Sequence, residues 1–496
     1  MTATTTVSAS GKEAALKEAG GRGFGRRHLQ LMLLSMGLAL GYCCRINLSI
    51  CIVAMTSAES ANGYPVYDWE PKYRGLVLSS FFWGYVLMQV PGATLANRYG
   101  PARFVFLGVT GCAVLTCLTP LAAAWGGWMA VCALRMLEGL CQGVIFPSVH
   151  FMLGRWSPPV ERGRAAAIVF TGPSIGTLLA MAGVGLLCGS PLGWPSGFYV
   201  PGLLALVWGV FWWKMSADSP AKCKHIAPEE REYIQMSLGD SSSNDKRLSV
   251  PWLAIMSTPA MWSLIAVHMC SNFGHWLMLT QMPTYMQTML HFNIEDNGIM
   301  SSMPYLCLVL TSTLVGWGAQ RVNESGCISI VMSRKIFNSV GHYGMGITFL
   351  VLSFLTPIGI PVGVAVGLLT AAVSLEAALL AGFLVNHVDL SPNFGGAMLG
   401  VSNGLGNIMG IVAPILVSLV VNQTPESTPE DLATGWSRVF LIGACVYFSG
   451  NTVFVLLGRA DVQPWNNPEK ADKAEKLEKG EPTEALELLP PDRNVA

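Results

Sequence analysis

Arg135-Met-Leu-Glu138-Gly-Leu-Cys-Gln142-Gly-Val-Ile-Phe-Pro-Ser-Val-His150 lies inside a long apolar run. On a helix, Arg135 and Glu138 are three apart and share a face, and Gln142 extends that face by a turn. A charged side chain at the centre of a bilayer costs roughly 2.5–3.5 kcal/mol on insertion scales. A helix that keeps a cation, an acid and an amide there is expected to use them on something that crosses. The stretch therefore points to an all-α membrane protein that transports.

The composition agrees. Residues are 52% hydrophobic and only 12% charged, which overrules a reading as several soluble domains. Zero net charge excludes a strongly polyanion-binding chain, so no nucleic-acid partner is expected. Apolar runs long enough to span recur about twelve times, near 30–56, 73–96, 103–122, 128–153, 164–188, 197–214, 259–289, 297–319, 332–356, 361–386, 395–421 and 437–458. The 53 glycines and 29 prolines suit helices that pack closely or bend. The cysteines show no metal-ligand spacing and read as reduced apolar fillers, so no metal or cofactor is expected.

Basic residues sit on one set of alternating connections, among them Arg26, Arg27, Arg98, Arg103, Arg155, Arg162, Lys214, Arg334 and Lys335. The opposite set carries Asp68, Glu70, Glu295, Asp296, Glu430 and Asp431. The positive-inside rule then places both termini in the cytosol. Asn422-Gln-Thr424 is a sequon on the far side, weakened by Pro425. Trp208, Phe211, Trp212 and Trp213 at the end of the sixth span are expected to form an interfacial belt.

The polar stretch 215–257 divides the chain, giving a cytosolic segment 1–29, a six-helix bundle 30–214, the central loop, a second six-helix bundle 258–459 and a cytosolic tail 460–496. Ala96-Asn97-Arg98 closes the second span and Ala319-Gln320-Arg321 closes the eighth, at matching places. Asn97, Arg98, Gln320 and Arg321 are thus candidates for a cytosolic gate, with topology anchoring as the alternative.

Several stretches resemble a known family: Cys44-Arg45-Ile-Asn-Leu-Ser49, Leu78-Ser-Ser-Phe-Phe-Trp-Gly-Tyr85 and Arg155-Trp-Ser-Pro-Pro-Val-Glu-Arg162 in the first half. Asn297-Gly-Ile-Met-Ser-Ser-Met-Pro-Tyr305, Arg334-Lys-Ile-Phe337, Asn386-His-Val-Asp-Leu390 and Pro392-Asn-Phe-Gly395 follow in the second. The chain resembles the major facilitator superfamily in its anion:cation symporter branch, solute carrier family seventeen, over roughly residues 30–465, and is most similar to the sialin members. The resemblance implies that Arg45 matches a first-helix arginine facing the substrate anion, Arg135 a fourth-helix arginine and His150 a histidine near the cytosolic end of that helix. Sialin-like members carry acids at both positions matching Glu138 and Gln142, whereas phosphate-type members tend to have amides at both; this chain keeps only the first acid. Asn97 and Gln320 stand where the superfamily's gate motif usually has Asp. Ser271, or a neighbour, and Leu78 replace an arginine and a histidine of the glutamate carriers, which argues against a dedicated glutamate carrier.

Chemistry ranks the candidates. Arg45 stays protonated and can grip a carboxylate or phosphate bidentately; otherwise it is satisfied by carbonyls or by Glu138. Glu138 is the first candidate proton carrier, because contact with Arg135 would switch its proton affinity; the alternative is a permanent ion pair. Arg135, Gln142 and Tyr85 could line the substrate cavity or simply pack. Glu376 sits mid-span with no base near it in sequence, a candidate second proton site. Because histidine side chains can titrate in the physiological range, His275, near the Thr280-Gln-Met-Pro283 bend, and His150 are further proton-coupling candidates, with a satisfied packing residue as the alternative for His275.

The expected function is secondary active transport of a small organic or inorganic anion by a monomer, coupled to protons through alternating access. The rivals are a sodium-driven phosphate or organic-anion carrier, a membrane enzyme working through His150 or His275, and a non-transporting receptor. No catalytic pair on one connection supports the enzyme. In the tail, Glu484-Ala-Leu-Glu-Leu488-Leu489 resembles an acidic dileucine sorting signal, a handle for sorting adaptors at endosomal or lysosomal membranes, with the plasma membrane as the other possibility.

Overall fold

A computed structural model describes residues 24–58, 63–238, 250–421 and 427–466. Asn422 and the Glu484–Leu489 segment lie outside them. Ten of the helices are long and apolar enough to cross a membrane. Two corrections to that number follow from geometry. The longest, Pro101–Trp156, cannot be one rod, because the Thr116 hydroxyl donates to Glu138 at 3.1 Å although 22 residues separate them. Along an α-helix those residues would lie about 33 Å apart. The chain turns back at Gly127 (φ 56°, ψ −151°), a conformation L-residues rarely adopt. The thirty-residue Pro259–Thr288 is the other addition; its polar residues, spread around the helix, lower its hydropathy.

Twelve long helical segments result among the described residues. In the first half α1 is Arg26–Met55, α2 Pro71–Tyr99, α3 101–126, α4 128–143 continued by Ile145–Trp156, α5 Arg162–Gly189 and α6 Gly193–Met215. In the second half α7 is Pro259–Thr288, α8 Ile294–Ser325, α9 Ile330–Leu355, α10 Val362–Leu390, α11 Gly395–Val420 and α12 Pro429–Leu457. Their starts are written locally. Proline opens α2, α3, α7 and α12, where its missing N–H costs nothing. Asn293, Ser329 and Thr428 cap α8, α9 and α12 by accepting an orphan N–H.

Each half packs chiefly on itself, α1 against α5 and α6, and α7 and α9 against α12. Between the halves, α2 meets α11, α5 meets α8 and α1 meets α7. One end of the molecule, here the basic end, carries Arg26, Arg98, Arg155, Arg162, Arg321 and Arg334. At the other end the halves form a tight seam. A Cβ on Gly185 of α5 would come 2.6 Å from the Gly298 Cα of α8, and one on Gly75 of α2 would come 2.9 Å from the Pro414 carbonyl of α11. Toward the basic end the halves part around a cavity of about 550 Å³ between α5, α7, α8 and α10.

Three helices are segmented. α5 passes through a π-helical stretch at Leu179–Gly183, α10 loosens at Glu376 with its dihedrals still helical and breaks at Gly382 (φ −87°, ψ −116°), and α11 loosens likewise at Ile408. The aromatic belt expected on α6 is half core. Trp208 and Trp212, four apart on one face, are buried and donate to the Leu33 and Ala102 carbonyls at 3.0 and 2.9 Å, while Phe211 and Trp213 stay exposed. Within the 215–257 connection, the helix Pro228–Leu238 lays Glu230 against Arg27.

Candidate functional site

Arg45 lies on α1 at the level where the halves meet, and it is 5% exposed. Its Nε and Nη2 are buried without a hydrogen-bond partner. Rings surround the guanidinium: Trp276 of α7 at 4.2 Å, Phe81 and Tyr85 of α2 both at 4.6 Å and Phe82 at 5.0 Å. The space left beside it, about 10 Å³, admits about one water. Aromatic faces offset a guanidinium's charge only partly, since they supply no acceptor. Buried donors without acceptors are uncommon and costly. Two unpaired donors on one guanidinium are what a carboxylate or phosphate could accept from.

Arg135 behaves differently. Its Nη1 donates to Glu138 Oε2 at 2.5 Å and to the Cys44 carbonyl at 3.2 Å, and its Nη2 donates to the Arg45 carbonyl at 2.6 Å. The guanidinium expected to bind substrate is thus occupied by Glu138 and by the backbone of α1 beneath the Arg45 side chain. Glu138 is fully buried, and its other oxygen accepts from Thr116 of α3. Gln142 does not face open space either: its amide donates to the Gly41 carbonyl at 2.8 Å and to Cys112 Sγ at 3.0 Å, tying α4 to α1 and α3. Tyr85 stacks on Phe81 and supplies a wall of the Arg45 cage.

The 550 Å³ cavity holds the two isolated residues of the second half. His275 Nδ1 of α7 lies 3.0 Å from Glu376 Oε2 of α10, although 101 residues separate them in the chain. The base that the sequence around Glu376 lacks comes from another helix. His150 is exposed toward the basic end, its Nδ1 2.8 Å from the Phe146 carbonyl and its ring 5.2 Å from Phe170. It is not part of the Glu138 cluster.

With the basic end open, the candidate latch residues stay on their own helices. Arg98 lies over Tyr99 and Arg321 over Trp317, each an aromatic of its own helix, and Gln320 bonds Glu324 one turn on. No described contact joins Asn97, Arg98, Gln320 or Arg321 to another helix. The charge pairs that tie helices at this end are different: Arg27 with Glu161 and Glu230, and Arg334 with Asp389. The rings of Phe81, Phe82 and Trp276 and the hydroxyl of Thr116 were not singled out from sequence. A Phe-Phe pair one turn before Tyr85 was the available signal for the cage.

Twelve helices in two packed halves, a buried arginine at their junction and a cavity open at one end define a transporter of the major facilitator fold. Residues 24–414 match the Major Facilitator Superfamily. Human sialin is 32% identical over 462 residues, covering 88% of this chain and 90% of sialin. A Drosophila melanogaster protein named "Putative inorganic phosphate cotransporter" is 33% identical over 90% of this chain and 88% of its own length. Mouse vesicular glutamate transporter 2 is 31% identical over 91% of this chain and 77% of its own. Among solved structures, a bacterial homologue of the human lysosomal transporter Spinster, inward-facing and unoccupied, aligns with a TM-score of 0.65 at 13% identity over 88% of this chain and 99% of that one. A D-xylose–proton symporter aligns with 0.64 at 15% identity over 87% and 98%. The chain belongs to the Major Facilitator Superfamily, within the solute carrier family seventeen branch that holds sialin, the vesicular glutamate transporters and the phosphate cotransporters.

Proposed function

We propose that this protein is an alternating-access symporter that moves a small carboxylate or phosphate anion together with a proton, with Arg45 as the anion's anchor. The observation that carries the reading is the buried Arg45 guanidinium with unpaired Nε and Nη2 between the two halves. The Arg135–Glu138 pair is its coupling element. Protonating Glu138 would weaken its hold on Arg135, whose Nη groups grip the α1 carbonyls at Cys44 and Arg45, so the proton would be felt by the helix that carries the anion. The structure is then the state open toward the basic end, which faces the cytosol under the positive-inside rule and holds both termini. The acidic dileucine sequence favours an endosomal or lysosomal membrane over the plasma membrane.

A second reading has one observation in its favour. Both oxygens of Glu138 are already bonded, to Thr116 and Arg135, which suits a permanent structural pair and leaves sodium as the coupling ion. Uptake into proteoliposomes separates the two. A pH gradient in the absence of sodium should drive accumulation of labelled glucuronate, sialic acid or phosphate, and Arg45→Lys should lose it. Uptake driven by sodium alone and unaffected by Glu138→Gln would remove the proton reading.

A further inference from the structure

Helix α10 carries Glu376 where it loosens, between the segments Val362–Leu375 and Ala377–Ala381. The side chain is about one-tenth exposed. One oxygen, Oε2, meets His275; the other, Oε1, is buried without a partner. His275 keeps nearly a third of its side chain exposed, and both residues line the cavity that opens toward the basic end. The rest of that lining includes His268, Ser271 and Asn272 of α7, Ser174 of α5 and Ser312 of α8, and it contains no lysine, arginine or second acid.

We propose that His275 and Glu376 form a proton-binding site in the second half, where the coupling proton is exchanged with the basic face. This rests on the symport reading above and adds to it the entry point of the ion. With one proton beyond the neutral imidazole and the carboxylate, the pair carries no net charge and shares a hydrogen bond between Nδ1 and Oε2. Without it, the pair has a net charge of minus one and no cation beside it. In the open cavity water reaches the pair through His275, which keeps nearly a third of its side chain exposed; once α5 closes over it, the charge would lie in a medium of low dielectric without a partner, which is costly. Closure of the basic end is therefore favoured only after the proton has bound.

The other titratable groups around Glu376 do not offer a competing cation. From α8, Tyr305 stands in its field with a buried hydroxyl that lacks a hydrogen bond. From α12, Tyr447 donates to the Ser271 carbonyl at 3.0 Å. Farther along α7, His268 shares Ser402 with His387 of α10, at 3.1 and 2.8 Å from its hydroxyl. From α9, His342 turns its two ring nitrogens to the carbonyls of Asn338 and Val267. The facing α5 contributes Ala167, Phe170, Thr171 and Ser174 and no ionisable group to the cavity.

The test needs no knowledge of the anion. Infrared difference spectra of the full chain in liposomes, recorded between about pH 5 and about pH 8 without substrate or sodium, report which carboxyl gains a proton in the range where histidine also titrates. Glu138 contributes its own protonated-carboxyl component, removed by Glu138→Gln; the remaining component should vanish in Glu376→Gln, shift in His275→Asn and survive in Arg45→Lys. A remaining component unchanged in Glu376→Gln, or one that follows sodium at fixed pH, overturns the proposal. Should Glu376→Gln lose that component while the unaltered protein accumulates no anion with a proton gradient, the site stands and the symport reading falls. In the reverse case, proton-driven uptake that Glu376→Gln leaves intact together with that component, the symport reading stands and this site falls.

Discussion

The Arg45 guanidinium carbon lies 4.2 Å above the Trp276 ring, which joins α1 of the first half to α7 of the second. His275, the preceding residue of α7, lines the cavity with its ring 4.8 Å from the Trp276 ring. Cation–π contacts contribute about 0.5–2 kcal/mol, the upper value when desolvated. Trp276→Ala should raise the KM for proton-driven uptake about twofold to thirtyfold, and Trp276→Phe should raise it less. An unchanged KM in Trp276→Ala would show that the ring does not contribute to the anchor.

Arg45→Lys keeps the charge and loses the fork. A hydrogen bond to a charged group contributes about 1.5–3 kcal/mol, so losing one of a bidentate pair predicts an affinity roughly tenfold to more than a hundredfold weaker. Competition by glucuronate, sialic acid and phosphate against uptake of a labelled anion measures it.

Arg135 and Glu138 predict a non-additive response of stability. Removing one partner of a buried pair strands the other, at about 3–5 kcal/mol, whereas replacing both by apolar residues is often close to neutral. Glu138→Leu and Arg135→Met should each lower the melting temperature of the detergent-solubilised protein, and the double variant should recover most of the loss. Additive losses would show that the carbonyl contacts to α1, and not the pair, carry the stability.

At the seam, Gly185 and Gly298 leave no room for a side chain. Gly298→Leu forces an overpacking cost of about 1–3 kcal/mol onto the closed far end and none onto a state in which α5 and α8 have parted. Cysteines placed on the far side of the cavity should label faster in this variant, and cysteines lining the basic-end cavity more slowly.

Arg334 and Asp389 are fork-bonded, with Nε to Oδ2 at 2.6 Å and Nη2 to Oδ1 at 3.2 Å, and so pin α9 to the end of α10. Lysine cannot reproduce two parallel bonds. Arg334→Lys should lower thermal stability by about 1–3 kcal/mol, as read by unfolding in detergent, without changing which ion drives uptake.

What could be read from the chain depended on cost. Arg45, Arg135, Glu138 and Glu376 stood out because charges are expensive in apolar runs, and the structure finds all four buried or nearly so. Their partners were legible only where they are local. Arg135–Glu138 is three residues apart; Glu376 and His275 are brought together by the crossing of α7 and α10, which no spacing encodes. The Asn97-Arg98 and Gln320-Arg321 echo marks equivalent helix ends but says nothing of what faces them, and with the basic end open the two arginines lie over rings of their own helices. Trp208 and Trp212 could have been placed in the core, since their four-residue spacing sets them on one stripe while Phe211 and Trp213 fall off it. The loosening of α10 at Glu376 leaves no trace in an apolar segment without proline.

The segmented helices decide how tightly such a carrier can hold a gradient. α10 has its break at Gly382 close to the cavity, while the π-helical stretch of α5 lies at the edge of the glycine seam, where a Cβ on Gly298 would come 2.7 Å from the Met181 carbonyl. The basic-end arms can therefore swing inward on these joints while the seam remains shut. An intermediate closed at both ends then requires only local bending, with no separate rearrangement of the halves. In that intermediate an ion is neither inside nor outside. A carrier that must pass through it has no moment at which a continuous water path crosses the membrane.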